Sequence, residues 1–254
     1  MKNSFTLIFL LFSVSLGFTQ VVESPLSTNP QLTLQYENGK LQNSFAQKSN
    51  TTLDLPFIDD FSKNHLPGAS VVLWEDNFVF INATYPIVPP TIGVATFDGL
   101  DFNGYPYDFE NPTSYGEADV LTSCTINLSE DADGNPYSPS DSIYLSFYYQ
   151  PQGLGDSPEP QDSLVLEFYV AETDSWIHQW STPGEGQTSF RLVYIPIVDD
   201  IYFSPDFKFR FRNYATLSGN LDHWHIDVVW LDKNRSTSQV GFSDVGFQFE
   251  QTGF

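Results

Sequence analysis

From Leu53 onward, short runs of β-branched and aromatic residues alternate with clusters of Pro, Gly, Asn and Asp. In residues 206–213, phenylalanines alternate with basic residues, which places the two sets on opposite faces of a strand. No long segment shows the hydrophobic stripe of a helix. Runs of this kind, bounded by turn residues, predict antiparallel strands. The predicted strands are 70–74, 77–82, 92–97, 118–127, 142–150, 162–171, 175–180, 188–197, 206–213 and 223–231.

These strands predict an all-β protein, an antiparallel two-sheet β-sandwich that is jelly-roll-like. An immunoglobulin-like sandwich is the alternative, but the chain lacks a Cys–Trp–Cys pattern and its connections are longer. We expect the sandwich to span residues 53–235. Residues 20–52 are polar and aperiodic and predict a flexible lead or one early strand, and 236–254 predict a tail or the start of a further region.

The N-terminal residues have the pattern of a secretory signal peptide. Lys2 precedes an apolar run from Phe5 to Leu16, and the small residues Gly17 and Thr19 suit a cleavage site before Gln20. The run is shorter than the roughly 20 residues that cross a bilayer. We therefore predict a signal peptide at 1–19 and no transmembrane segment after its removal. The expected location is outside the cell or at its surface, associated with the outer membrane or extracellular.

Composition narrows the classes of partner. The chain carries 32 acidic and 10 basic residues, a formal net charge of −22. Such a surface repels the phosphate backbone, so nucleic acid is not an expected partner, whereas divalent cations are attracted. The one cysteine, Cys124, lies in an alternating stretch and predicts a buried apolar side chain.

Two groups of acidic residues predict structural calcium (Ca²⁺). In residues 97–110, Asp98 and Asp101 supply oxygens beside glycines that allow a tight loop. The alternative for this loop is an ordinary turn. The second group joins Asp59 and Asp60, before the first core strand, to Asp227 in the last one. The alternative there is a carboxylate bonded to backbone amides. A third acidic stretch, 129–141, predicts a hairpin turn.

Aromatic residues near strand ends predict a sugar-binding platform, because rings stack on the apolar faces of sugars. For each ring, core packing is the alternative. No sequence motif of a nucleophilic elbow, phosphate loop or zinc protease is present, and no catalytic residue is assigned. The candidate ligand-binding residues are Trp176, Trp180, Tyr105 and Tyr107, with Trp74 and Trp224 as further candidates.

Four stretches resemble the N-terminal jelly-roll domain, MAM-like or cleaved-adhesin-like, of large Bacteroidetes surface proteins associated with type IX secretion and gliding motility. In the last stretch, WHIDVVWL is similar to the family pattern W-x-I-D-D-V, with Val228 in place of the second aspartate. The resemblance implies a longer chain with its sorting signal downstream. Ser142 and Ser163 lie in D-S-aliphatic triplets that resemble the O-glycosylation motif of such exported proteins. The four stretches are 57–62, 73–109, 162–168 and 211–235.

These observations predict an exported cell-surface binding or adhesion module that recognises glycan or protein and holds structural calcium. A structural subunit of an outer-membrane secretion or gliding-motility complex is the alternative. A carbohydrate-active hydrolase is a third hypothesis, for which the sequence singles out no pair of carboxylates.

Overall fold

A computed structural model of the protein describes residues 27–39, 52–62, 68–76 and 78–238. Within these ranges the chain forms one α-helix, two short 3-10 turns and ten β-strands. The strands are β1 (Phe57–Asp59), β2 (Phe80–Asn82), β3 (Val94–Phe97), β4 (Tyr115–Thr122), β5 (Tyr144–Pro151), β6 (Ser163–Val170), β7 (Ser175–Pro183), β8 (Arg191–Pro196), β9 (Phe209–Thr216) and β10 (Trp224–Asp232).

The strands form two antiparallel sheets. The six-stranded sheet has the order β2-β3-β10-β5-β8, and β1 also pairs with β10. The four-stranded sheet has the order β4-β9-β6-β7. The expected antiparallel two-sheet sandwich with jelly-roll character is confirmed. The segment Phe57–Asp59, which was not predicted to be a strand, forms β1 and pairs with the last strand, so that Asp59 lies opposite Val229.

Aromatic rings fill the space between the two sheets. Phe207, Phe209 and Phe211 are fully buried, as the alternating pattern predicts. Phe147 of β5 meets Phe211 of β9 edge to face, with ring centroids 4.8 Å apart. Edge-to-face pairs add about 0.5–1.5 kcal/mol each beyond the burial of their area. Cys124 is buried as expected, and burial raises the pKa of its thiol to about 11.

The segment 70–74 is a turn, so the strand predicted there is wrong. The amides of Leu73 and Trp74 both donate to the carbonyl of Ser70, at 3.0 and 2.9 Å. The side chains of Val71 and Val72 are 42% and 60% exposed, so they do not pack against a sheet. Within the predicted strand 77–82, β2 covers only its last three residues.

A helix, α1 (Pro30–Glu37), lies where a flexible lead or a strand was predicted. Asn29 caps it by accepting from the amides of Gln31 and Leu32, and Pro30 suits the first turn. Leu32 is its one buried residue, so the hydrophobic pattern carried too little signal for a helix. Leu32 packs tightly on Gly104, because a Cβ added to Gly104 would lie 2.8 Å from the Leu32 Cβ.

The signal peptide predicted at 1–19 lies outside the described residues, as do residues 239–254 of the predicted tail. The proposed limits of the sandwich at 53 and 235 stay a prediction. In the described part of the chain, no helix is long and apolar enough to span a membrane.

Candidate functional site

In the predicted cation site of Asp59, Asp60 and Asp227, Thr91 links Asp60 to Asp227. The Thr91 hydroxyl lies 2.8 Å from the Asp60 carbonyl oxygen, 2.8 Å from Asp227 Oδ1 and 3.2 Å from the Gly93 carbonyl oxygen. A hydroxyl has one proton to donate, so these three acceptors outnumber it. Calcium favours such mixtures of carbonyl, carboxylate and hydroxyl oxygens. Calcium at this point stays a prediction.

Asp227 also makes the bonds that the alternative interpretation requires. Its Oδ2 accepts from the Thr91 amide at 2.9 Å and its Oδ1 from the Val228 amide at 2.7 Å. The residue is fully buried, and burial raises the pKa of its carboxyl to about 7, although the Thr91 bonds oppose the rise. Asp227 therefore fastens the loop before β3 to β10 even without an ion.

Asp59 has a different role from its neighbour. Its Oδ2 accepts from the Trp74 indole at 2.7 Å and its Oδ1 from the Phe61 amide at 2.8 Å. This explains why Trp74 can be fully buried, since the indole N–H finds an acceptor in the core. The Asp60 side chain turns back to accept from the amide and hydroxyl of Ser62. Asp60 therefore contacts the Thr91 hydroxyl through its backbone carbonyl oxygen and not through its carboxylate.

The other predicted cation-binding pair, Asp98 and Asp101, is not joined by a shared partner. Asp101 Oδ1 accepts from the amides of Asn103 and Tyr105, at 2.9 and 3.0 Å. This is the ordinary-turn alternative. Asp98 instead lies beside Asp119, which enters from a bulge in β4 between Glu117 and Val120.

Asp98 and Asp119 are two buried carboxyl groups, and the charge of Asp119 acts on Asp98. Burial and the charge of Asp119 raise the pKa of Asp98, and burial raises the pKa of Asp119. Asp119 accepts from the Gly99 amide at 2.9 Å and the Tyr107 hydroxyl at 2.8 Å. Tyr107 is half-buried, and its hydroxyl is committed to Asp119. Two such carboxyls favour sharing a proton over carrying two charges.

The predicted aromatic platform is divided between surfaces. In β7, Trp176 lies opposite Tyr169 and Trp180 opposite Leu166. A register shift between Leu166 and Glu167 inserts one extra residue into β7, and a bulge reverses the side on which later side chains lie. Trp180 consequently packs inward, edge to face with Phe147 and Tyr149, at 5.2 and 5.1 Å.

Tyr105 lies elsewhere again. It is 37% exposed in the loop between β3 and β4, and its hydroxyl is 3.3 Å from Glu37 of α1. Of the four predicted rings, Trp176 is the one that lies on the outer face of a sheet with a polar network around it. Trp74 and Trp224 are fully buried, as the core-packing alternative requires.

That network defines a charged-aromatic face on the outside of the four-stranded sheet. The guanidinium of Arg210 lies over Trp176, 4.3 Å from the ring centroid. Arg210 Nε donates to Glu167 at 2.8 Å, and Arg212 binds both oxygens of Glu167, at 2.7 and 2.9 Å. The members of the charged-aromatic face are Tyr169, Trp176, Glu117, Glu167, Arg210, Arg212 and Tyr214.

The charges on this face are balanced and held in place. Burial alone would raise the pKa of Glu167, but the hydrogen bonds of Arg212 and Arg210 outweigh it and lower the pKa. Arg212 also donates to Glu117 at 2.7 Å and to the Tyr214 hydroxyl at 2.6 Å. The face thus presents preset donors and acceptors next to aromatic rings.

The outer face of the six-stranded sheet is partly covered by the chain that follows β10. Arg235 is 4% exposed and lies over Trp230, with its guanidinium 3.7 Å from the ring centroid. It donates to the carbonyls of Trp230 and Tyr144, at 2.7 and 3.1 Å. The depression beside it has a cavity volume of about 10 Å³, which is room for about one water molecule and not for a ligand.

The two predicted modification sites differ in accessibility. Ser142 is exposed at the end of the 3-10 turn Pro139–Asp141, with φ of 53°. Ser163 is half-buried at the start of β6, between Pro183 of β7 and Tyr214 of β9. Glycosylation stays a prediction at both.

His223, just before β10, and His225, within β10, stack their rings at a centroid distance of 6.5 Å, and both residues are buried. Burial lowers their pKa values to about 3 and about 4. His223 Nδ1 accepts from the Asp156 amide at 2.6 Å, and its Nε2 donates to the Asn220 side-chain oxygen. With both nitrogens engaged, His223 has no lone pair left for a metal. A Cβ at Gly155 would collide with the His223 ring.

One acidic group was missed by sequence reasoning. Single carboxylate oxygens of Glu159, Asp162 and Asp222 all lie within 4.8 Å of one another. Asp162 was noted only as the first residue of a D-S-aliphatic triplet. Asp222 is some sixty positions away by the sequence numbering, and no local pattern links the two.

No family model and no curated protein matches the sequence. Among solved structures, the K3 cleaved adhesin domain of Lys-gingipain from Porphyromonas gingivalis is similar at 10% identity, over 56% of this chain and 74% of that chain, with a TM-score of 0.34. The family 29 carbohydrate-binding module CBM29-2 is similar at 10% identity, over 74% and 98%, with a TM-score of 0.33. An arabinose-bound α-L-arabinofuranosidase, MgGH51, is similar at 12% identity, over 68% and 25%, with a TM-score of 0.42. At these values the comparisons carry no argument about ligand or activity.

Proposed function

We propose that this chain is an exported β-sandwich module that binds glycans at the cell surface through the charged-aromatic face. The observation that carries the proposal is the ordered network in which Arg210 and Arg212 converge on Glu167 beside the ring of Trp176. Trp, Tyr and Arg are the residues that most often dominate binding surfaces. Here they occur together on the outside of a sheet, held by short hydrogen bonds.

The balance of charge on the face indicates the class of ligand. Each cation is matched by a carboxylate, since Lys208 also pairs with Glu75 at 2.6 Å. The face therefore offers little attraction for a polyanion such as nucleic acid or sulfated polymer. It offers paired donors and acceptors, which match the vicinal hydroxyls of a neutral sugar, and rings that suit the apolar faces of pyranoses.

Preorganisation supports the same conclusion. The β6, β7 and β9 strands fix the backbone of the face, so binding would order few side chains. A ligand that meets groups already in place avoids about 0.5–1.5 kcal/mol of ordering cost per side chain. A rigid sheet face of this kind suits repeated, shallow contacts with an extended chain better than enclosure of a small molecule.

Delivery to the cell surface is supported by the signal-peptide pattern at 1–19 and by the resemblance to type IX-associated surface proteins. Adhesion would follow if the glycan belongs to a neighbouring cell or matrix. Structural calcium near Asp60 and Asp227 is part of the proposal as a stabilising element, not as a ligand contact.

A glycan array with the purified mature chain tests the function, followed by calorimetric titration of the best ligand. We expect wild type to bind a subset of neutral glycans, and Trp176→Ala and Arg210→Ala each to weaken binding by about tenfold or more. Ile177→Ala is the matched control, because Ile177 is the adjacent residue, is 38% exposed and lies opposite Phe168, on the other side of the strand.

Three outcomes would overturn the proposal. The array could show no glycan bound, or binding could survive both substitutions on the face. The chain could instead co-purify constitutively with an envelope protein complex, with Trp176→Ala releasing it. That last result would favour the alternative, a structural subunit of a secretion or motility complex.

A further inference from the structure

We propose that Glu159, Asp162 and Asp222 form a calcium-binding site, separate from the charged-aromatic face and from the Asp60–Asp227 cluster. The first two residues belong to the connection from β5 to β6, and Asp222 belongs to the connection from β9 to β10. Oxygens of the three carboxylates lie within 4.8 Å of one another. Asp162 and Asp222 are 0% and 1% exposed, while Glu159 is exposed to solvent.

A buried oxygen without a partner marks the site. Asp162 Oδ2 accepts from the Glu159 amide at 2.5 Å. Its Oδ1 is buried and has no hydrogen-bond partner among the described residues. A buried carboxylate oxygen that lacks a partner is costly. Because Oδ2 is held by an amide of the same loop, Oδ1 is the oxygen left to meet a ligand.

No side-chain cation neutralises the group. Asp222 accepts from the Thr216 amide at 2.7 Å, and none of the three carboxylates takes part in the ion pairs found in the described ranges. Burial, together with the neighbouring carboxylates, raises the pKa values of Asp162 and Asp222. Three carboxylates this close need protons or a cation to coexist.

The donor set selects the kind of cation. All three ligands are carboxylate oxygens, which suit hard cations and not zinc or copper. His223, the residue that follows Asp222, has both ring nitrogens engaged by Asp156 and Asn220. Calcium accepts six to eight oxygens in irregular geometry, and the exposed side of Glu159 leaves room for water ligands. Magnesium demands a stricter octahedron, so we expect weaker binding.

Binding would join the two sheets at one end of the sandwich. Asp162 directly precedes β6 of the four-stranded sheet, and Asp222 lies two residues before β10 of the six-stranded sheet. An ion held by both would bridge connections that belong to opposite layers. We therefore expect calcium to raise the melting temperature of the whole sandwich, since it binds only the folded state.

Thermal melting of the mature chain tests the site, with chelator, calcium chloride or magnesium chloride as the only variables. We expect wild type to gain several degrees in calcium and less in magnesium. Asp162→Asn and Glu159→Gln should each lose the part of the calcium gain that this site supplies and keep the part that the Asp60–Asp227 cluster supplies. Asp162→Asn should also melt at or above wild type in chelator, because one buried charge is gone. The matched control, Asp133→Asn, removes an exposed carboxylate elsewhere and should keep the full gain.

Terbium luminescence gives a second readout that locates the ion. The Tyr115 hydroxyl donates to the Gln161 carbonyl at 2.6 Å, next to Asp162, so Tyr115 can sensitise a bound lanthanide. We expect wild type to show terbium emission. Glu159→Gln should weaken the affinity for terbium by about tenfold, and Tyr115→Phe should reduce the intensity of the emission. Because Glu159 is exposed, its variant should fold.

Absence of any calcium gain or terbium emission in wild type would overturn the proposal. It would also fail if Asp227→Asn abolished both signals while Asp162→Asn and Glu159→Gln kept them, because the ion would then lie at Thr91. Neither result bears on glycan binding by the charged-aromatic face, which the glycan array tests.

Discussion

Trp176 and Trp180 are four residues apart on one strand, yet they lie on opposite faces of the four-stranded sheet. Trp176 pairs with Tyr169 on the outside, and Trp180 pairs with Leu166 and contacts Phe147 in the core. In a regular strand, residues at even spacing share a face. One extra residue in β7 therefore separates a surface ring from a core ring, and the two should respond differently to truncation.

Trp180→Ala should destabilise the fold by up to about 3 kcal/mol, the lower end of the usual cost of emptying an aromatic core site, because the ring is half-buried and packs against the core. Trp176→Ala should cost about 1 kcal/mol, since it removes a partly exposed ring and its contact with Arg210. Equilibrium urea unfolding of both variants measures the difference. Equal losses would contradict the assignment of the two rings to opposite faces.

Gly155→Ala should destabilise the sandwich strongly, because the added Cβ would collide with the His223 ring. The His223 ring is buried and held on both sides, so it cannot move away without breaking a hydrogen bond. We expect a loss of about 2 kcal/mol or more in chemical unfolding. Gly186→Ala is the control, because the nearest atom to its Cβ would be 4.0 Å away. A stable Gly155→Ala protein would show that the His223 ring can move aside.

His223 and His225 should both remain neutral, with the proton on Nε2, in mildly acidic solution. Burial lowers both pKa values, to about 3 and about 4, and the His225 Nε2 faces the Gln152 carbonyl oxygen at 3.2 Å. The unfolded chain takes up these protons near the ordinary histidine pKa of about 6.5. Their contribution to stability is therefore complete above that pH and is lost as the pH falls toward the folded values.

Nitrogen-15 NMR of the imidazole rings tests this directly. We expect two rings whose shifts do not change from neutral pH to about pH 5, with the pattern of the Nε2–H tautomer. Titration of both rings near pH 6.5 would mean that they are hydrated.

Asp76 should make the fold less stable as the pH rises. Burial raises its pKa to about 7, although both of its oxygens accept from the Thr122 amide at 3.0 Å. Between the unfolded value of 3.8 and about 7, the folded state binds the proton more tightly. Stability contributed by that proton is present at low pH and is lost as the pH rises through this window.

Asp76→Asn should therefore remove a decline in stability between about pH 4 and about pH 7, where each pKa unit corresponds to about 1.4 kcal/mol. Asp133→Asn, at an exposed position, should follow wild type. A variant that parallels wild type at every pH would show that Asp76 is solvated and titrates at its ordinary value.

Most strands could be predicted because their signal is local. Alternation in 206–213 and 162–171 identified β9 and β6, and the period of two follows from the pleat of any strand. The failures have a common cause. Helix α1 buries one side chain, Leu32, so its hydrophobic pattern is weak. The segment 70–74 contains apolar residues because Trp74 packs in the core from a turn. In both cases tertiary packing outweighed local preference.

The candidate sites were predicted less completely. The grouping of Asp60 with Asp227 was predicted from their places before the first predicted core strand and within the last one, and Thr91 links the two. Asp119 was missed because a bulge in β4 carries it to Asp98. Asp222 was missed because it meets Asp162 only through the path of two separate connections.

By itself, the sequence determined the class of fold, the acidic surface and the buried state of Cys124, because alternation, charge and residue type depend on neighbours a few positions away. Only the tertiary structure decided which tryptophan faces solvent, which carboxylates share a site and which histidines stay neutral. Those outcomes depend on bulges, crossing loops and burial, and these arise from contacts between residues far apart in the chain.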